Sequence, residues 1–125
     1  MEKRIRLRHE SDVRRVYDEG QSWVHSLLVL VARPNNFDFS RVGVTASRRV
    51  GNAVARNRAK RLLREAARCL YPQFGVGWDV MLVARARILE VKEPQVEKAL
   101  ASLLKRARLG ESEIYNQDAT SGPTR

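Results

Sequence analysis

The sequence predicts an α+β fold in which helices pack on a small mixed β-sheet, in the order helix, strand, strand, helix, strand, helix. Three short stretches are dense in apolar and β-branched residues, as strands are. Three others repeat apolar residues at helical spacing. A chain of 125 residues, 43% of them hydrophobic, suits one domain with one core, which we assign to residues 1–109. The polar remainder, residues 110–125, is expected to be a disordered tail.

The first predicted element is a helix over residues 11–19. Val13, Val16 and Tyr17 fall on one face at helical spacing. Gly20 follows immediately, and glycine commonly ends a helix because it adopts backbone angles that other residues avoid. This short helix therefore offers one apolar face to the rest of the fold.

Two strands follow this helix. Residues 24–33 are rich in apolar and β-branched residues and predict a buried strand. Residues 41–47 alternate at period two and predict a second one. Between them, the run at 34–36 of proline and two asparagines is a turn signal. The short spacing favours a hairpin of these two strands.

The second half of the chain predicts two longer helices around a third strand. Asn52 is a suitable N-cap for a helix over residues 53–70, which Pro72 brings to an end. Residues 78–84 predict a strand. Residues 94–108 predict a final helix that begins with proline. The second strand, the long helix and the third strand make a crossover unit, which allows those two strands to be parallel.

Positive charge is concentrated in one part of the chain. The 24 Lys and Arg residues outnumber the 14 Asp and Glu residues, and residues 41–70 hold nine basic residues against one acid, a net charge of +8. A surface tuned only for solubility does not need this concentration, so we expect a polyanionic partner. No apolar run could span a bilayer and the charged N-terminus is not a secretory signal, so we expect a cytoplasmic protein that does not associate with membranes.

The helix over residues 53–70 has an apolar face and a cationic face. On a helical wheel drawn at about 100° per residue, one side of the helix holds Ala59, Leu62, Leu63, Ala66 and Leu70. Cys69 lies near the margin of this apolar side and is predicted to be a core residue. The opposite arc is basic and only Glu65 interrupts it, so its charges repel one another unless an anion binds. The candidate residues for contact with nucleic-acid phosphates, in RNA or in DNA, are Arg48, Arg49, Asn52, Arg56, Asn57, Arg58, Lys60, Arg61, Arg64 and Arg68.

A specific signature runs through residues 47–64. Its centre is Arg56-Asn57-Arg58, preceded by Ser47-Arg48-Arg49-Val50-Gly51-Asn52-Ala53-Val54 and followed by Lys60-Arg61-Leu62-Leu63-Arg64. This signature, together with the element order, resembles the protein subunit of bacterial ribonuclease P, and the resemblance extends over residues 4–108. It implies a left-handed crossover between the parallel strands, although such connections are rare in proteins generally.

The resemblance also implies a function. In this family the RNA subunit holds the active site and removes the 5′ leader of precursor tRNA, while the protein binds that RNA and the leader. Any Mg²⁺ is then held mainly by RNA, and the protein alone binds no cofactor. The family's leader-binding cleft, between the first helix and the sheet, matches Val13, Tyr17 and Val31, which are equally compatible with a role in the core.

The sequence predicts no catalytic residue and no metal ligand within the protein itself. His9, His25 and Cys69 have no partner in sequence that would make a nucleophile or a metal site, and no phosphate-binding loop is present. We therefore expect no small-molecule substrate. The main alternative is another basic RNA-binding module, such as a ribosomal protein or an RNA chaperone, which the signature disfavours. DNA binding is not supported by any helix-turn-helix, zinc-finger or leucine-heptad pattern, and a membrane-surface helix would need the apolar face that the sheet requires.

Overall fold

The computed structural model describes residues 2–109, so the predicted tail at 110–125 lies outside the described part. Short 3₁₀ helices occur at Lys3–Ile5, Tyr71–Phe74 and Ala86–Glu90. The main elements are, in chain order, α1 (Glu10–Glu19), β1 (Gln21–Val24), β2 (Leu28–Pro34), β3 (Arg41–Thr45), α2 (Ala53–Leu70), β4 (Trp78–Ala84) and α3 (Glu93–Ala107).

The predicted α+β class is confirmed by a four-stranded mixed sheet in the order β1-β2-β4-β3. β2 is antiparallel to both of its neighbours, β1 and β4. β3 and β4 pair in parallel, as the predicted crossover through α2 allows. The left-handed sense of that crossover stays a prediction.

The hairpin predicted between residues 24–33 and 41–47 is wrong. β2 and β3 are close in sequence, but β4 lies between them and pairs with both. Five of the seven residues of β4 are buried. A strand buried in this way needs a hydrogen-bonded neighbour on each edge, because its backbone groups have no access to water. That requirement outweighs the closeness in sequence that favours hairpins.

The single strand predicted over residues 24–33 contains the last residue of β1 and most of β2, which pair antiparallel, so the sheet has one strand more than predicted. They are joined by a tight turn in which the Nδ1 atom of His25 accepts a hydrogen bond of 3.0 Å from the Leu27 amide. The isolated His25 therefore has a local structural role. The apolar run hides this turn because it contains no glycine or proline, the residues that ordinarily signal one.

Successive side chains along a strand point to opposite faces of the sheet, so the core has two parts, one on each face. Leu30, Val42 and Leu82 belong to the main core, which α2 and α3 cover. Val31 and Met81 face the other way and pack with α1 and the N-terminal segment in a smaller core. Since α1 is only ten residues long, it covers just part of this second face.

The bounds of α2 agree with the prediction, because its local signals are strong. The side chain of Asn52 caps the helix by accepting a hydrogen bond of 2.9 Å from the Ala55 amide. Ala59, Leu63, Ala66 and Ala67 are buried, whereas the predicted core residues Leu62 and Leu70 are only partly buried. None of the helices in residues 2–109 combines the length and hydrophobicity that crossing a bilayer requires.

The prediction that Cys69 is a core residue is wrong, because its side chain is exposed. The buried side of α2 includes Ala67 and is therefore rotated away from Cys69. Cys69 lies instead beside the first turn of α3, where its Sγ atom and carboxylate oxygens of Glu93 and Glu97 lie within 4.8 Å of one another.

Candidate nucleic-acid interface

A cluster of unpaired cations covers α2 and the turn before it. We call it the α2 cationic surface. The capped first turn and the buried alanines fix the rotation of the helix, so its basic residues face outward. None of them forms an ion pair with any acid in residues 2–109. The members are Arg48, Arg49, Arg58, Lys60, Arg61 and Arg64.

The other predicted RNA-binding residues differ in what they contact. Asn52 is committed to capping α2. Arg56 is partly buried and donates a hydrogen bond of 3.1 Å from Nη1 to the Gly51 carbonyl. This bond stabilises the turn that precedes α2. Asn57 is exposed. Arg68 pairs with Glu65 one turn earlier, which balances its charge and leaves it the weakest candidate in the set.

One basic residue of the 41–70 segment, Arg41, is neutralised by acidic partners and does not belong to the α2 cationic surface. Arg41 lies on β3 and donates to both carboxylate oxygens of the buried Asp79, at 2.8 and 2.7 Å. It also reaches Asp12 of α1, at 3.3 Å. The hydrogen bond to Asp79 is the main cause that raises the pKa of Arg41. Its role is structural, since it ties α1 to the sheet.

The three residues of the predicted leader cleft do not share one environment. Val31 is buried in the smaller core, with 6% of its surface exposed. Val13 is partly buried against that core. Tyr17 is 45% exposed, and desolvation of its inner part raises the pKa of its hydroxyl. Of these three residues, Tyr17 alone therefore offers an exposed aromatic ring.

An apolar strip that the sequence interpretation missed lies on the same face of the sheet. It consists of Val24, Val29, Val83 and Thr45, which are directly opposite one another across β1, β2, β4 and β3. None of the four is buried, and Val24 is 51% exposed. Period-two alternation could have placed each residue on this face, but only the strand order brings them into one row.

Three potential metal ligands meet between α2 and α3. They are Cys69, Glu93 and Glu97. Desolvation first, and then the neighbouring Glu97, raise the pKa of Glu93 to about 7. Desolvation also raises the pKa of the Cys69 thiol. Protonation of Glu93 relieves the repulsion between the carboxylates, and we assign no cation to the cluster.

Comparison with known proteins places the chain in a family. The family model described as Ribonuclease P matches residues 1–108. The ribonuclease P protein component of Roseiflexus castenholzii is 42% identical over 108 residues, which cover 86% of this chain and 88% of the relative. That of Clostridium novyi is 40% identical over 111 residues, which cover 87% and 98% of the two chains.

Solved structures agree with these relatives. The ribonuclease P protein of Thermotoga maritima is 33% identical and superposes with a TM-score of 0.73 over 81% of this chain and 96% of the other. The Staphylococcus aureus protein is 28% identical, with a TM-score of 0.74 over 86% and 98%. On the combined evidence of sequence, fold and cationic surface, the chain belongs to the ribonuclease P protein family.

Proposed function

We propose that this chain binds the catalytic RNA of ribonuclease P through the α2 cationic surface and assists removal of the 5′ leader of precursor tRNA. Family membership makes it the protein part of an endonuclease complex that contains RNA. The single observation that supports direct RNA binding is the set of six basic residues without an acidic partner in the described chain. Their mutual repulsion destabilises the free protein, and contact with phosphates relieves it.

We assign the active site to the RNA subunit. Of the two histidines, His9 is exposed and His25 is committed to its turn, so we assign neither of them a catalytic role. Mg²⁺ would then be held mainly by RNA and substrate, with the protein acting by neutralising phosphate repulsion between them. A cytoplasmic location follows from the RNA partner and completes the proposal.

Reconstitution tests this function. Added to ribonuclease P RNA at low magnesium concentration, the protein is expected to restore cleavage of precursor tRNA at the mature 5′ end, because its cations replace part of the screening that Mg²⁺ supplies. The protein without RNA is the control and should be inactive. Stimulation of unrelated ribozymes to the same degree would instead indicate a general RNA chaperone, and this outcome would overturn the proposal.

We also assign the 5′ leader to the face that carries Tyr17 and the apolar strip. A nucleobase can stack on an exposed tyrosine ring, and such stacking contributes about 1–3 kcal/mol per base. The strip of Val24, Val29, Val83 and Thr45 continues this apolar surface across the sheet. One aromatic ring among aliphatic side chains suits one stacked base rather than a series of them.

Replacing Tyr17 by alanine is expected to weaken binding of precursor tRNA to the holoenzyme by about 5- to 150-fold, the equivalent of one lost stacking contact. Binding of mature tRNA, which lacks a leader, should stay unchanged, as should affinity for ribonuclease P RNA. Val76→Ala, which removes an exposed apolar side chain from a different loop, is the matched control. Equal weakening with and without the leader would show that Tyr17 is structural.

A further inference from the structure

A small cavity lined by arginines lies beside α2, on the side where the N-terminal segment runs along the sheet. Its volume is about 90 Å³. Arg6 and Arg8 come from the N-terminal segment and Arg64 comes from α2, and we call the site the arginine pocket. The remaining lining comes from apolar residues of β3 and from Leu7. No acidic residue lines it.

The N-terminal segment is held firmly against the free edge of β3. The Leu7 amide donates a hydrogen bond of 3.0 Å to the Val42 carbonyl, and Arg6 forms a parallel bridge with Val42. Leu7 is buried in the smaller core. Because side chains alternate along an extended chain, Arg6 and Arg8 both turn away from that core and into the pocket.

Gly43 makes this close approach of the two backbones feasible. A Cβ atom at this position would lie 2.5 Å from the Leu7 carbonyl oxygen and 2.6 Å from the Met81 sulfur. Any other residue would push the segment off the sheet and open the pocket. The position of Arg6 and Arg8 is thus set by backbone packing rather than by loosely held side chains.

The charges in the pocket are unbalanced. None of the three arginines pairs with an acid in residues 2–109. The Nε atom of Arg6 is shielded from solvent and has no hydrogen-bond partner. A buried charged donor without an acceptor is costly, and the negative charge of an anion in the pocket would offset part of that cost.

We propose that the arginine pocket binds one phosphate of the RNA backbone. The guanidinium fork matches the oxygens of a phosphate, and three forks around one small cavity favour a single tetrahedral oxyanion over a flat carboxylate. Arg64 belongs both to the pocket and to the α2 cationic surface, so the bound strand continues from α2 onto the N-terminal segment. This extension to a named phosphate site rests on the proposed RNA-binding function.

The free protein provides the first test, which needs no RNA. Titration with inorganic phosphate, followed by NMR of the arginine Nε–Hε groups, should shift the Arg6 signal in a saturable way. Arg6→Gln and Arg8→Gln should abolish or strongly weaken the saturable response of the remaining pocket signals. The matched control Lys98→Gln removes one positive charge from the exposed surface of α3 and should behave like the native protein. A native protein with no saturable shift would overturn the proposal.

RNA provides the second test. Each phosphate contact contributes about 0.9 to the slope of log affinity against log salt, so a fourfold rise in salt weakens binding by about 3.5-fold per contact. Arg6→Gln and Arg8→Gln should each lower this slope by up to about 0.9, the contribution of one phosphate contact, relative to Lys98→Gln. A saturable response to phosphate with an unchanged RNA slope would show a site for free phosphate only and overturn the assignment to RNA.

The two tests separate this inference from the proposed function. If the native protein fails to bind ribonuclease P RNA but responds to phosphate, the function is wrong and the pocket is an anion site of another origin. If the native protein binds the RNA but both pocket variants match Lys98→Gln, the function stands and the pocket assignment fails. Arg8 is exposed, so its replacement cannot disturb the core and keeps the test valid should Arg6→Gln fold poorly.

Discussion

Replacing Asp79 by alanine is expected to lower the free energy of unfolding by about 3–5 kcal/mol, the usual result of removing one partner from a buried ion pair. The Asp79 side chain is fully buried on β4. It accepts two hydrogen bonds from Arg41 and one of 2.9 Å from the side-chain Nδ2 of Asn35. Arg33 lies on its other side, with Nη1 3.9 Å from the carboxylate. Alanine would leave a partly buried guanidinium without its counterion.

Urea unfolding measures this loss, with Asp18→Ala as the control. Asp18 is exposed on α1 and forms no ion pair within the described residues, so its removal should change the unfolding free energy by less than about 0.5 kcal/mol. The double variant Asp79→Ala/Arg41→Ala should be less unstable than the sum of the two single variants, because it removes the charge together with its partner. Full additivity would show that the two residues do not stabilise the fold as a pair.

The Asp79 network also explains how the face that carries Tyr17, to which we assign the leader by proposal, keeps its shape. Arg41, Asp79 and Arg33 are directly opposite one another on β3, β4 and β2, at one end of the face that α1 covers. Asp12 of α1 and Glu19 at its other end reach Arg41 and Arg33, at 3.3 and 3.0 Å. Both ends of α1 are therefore attached to the sheet, which fixes the position of Tyr17 between them.

Local signals in the sequence predicted the individual elements well. α2 and β4 have the predicted bounds, because a capping asparagine, a proline and two glycines mark where they begin and end. The sheet order could not be derived in the same way. It depends on the burial of β4 between two neighbours, a property of the whole fold that no short window of sequence contains.

The same distinction applies to the functional surface. The cations of α2 were predictable because helical periodicity alone places them on one face. Arg6 and Arg8 were missed because an extended segment with alternating basic residues has no distinctive pattern. Their significance arises from contact with β3 at Gly43 and from the nearness of Arg64, and both are tertiary relations.

The exposed arginines of α2 should have opposite effects on binding and on stability. In the double variant Arg61→Gln/Arg64→Gln, the slope of log affinity for ribonuclease P RNA against log salt should fall by about 1.8, from two lost phosphate contacts. Affinity at low salt should fall at least tenfold. The free protein should be as stable as the native one or slightly more stable at low salt, because repulsion within α2 is reduced.

The matched control is the double variant Lys98→Gln/Lys105→Gln on α3, which has the same net charge as the arginine variant. Both lysines are exposed, and neither has an acidic partner in residues 2–109. If net charge alone attracts the RNA, both double variants will show the same slope, and the α2 cationic surface is not the binding site. If the geometry of α2 matters, only the arginine variant will show the reduced slope. Glutamine retains good helix propensity, so a difference between the variants cannot arise from unwinding of the helix. A loss of binding without a loss of stability therefore identifies residues that act on the RNA rather than on the fold.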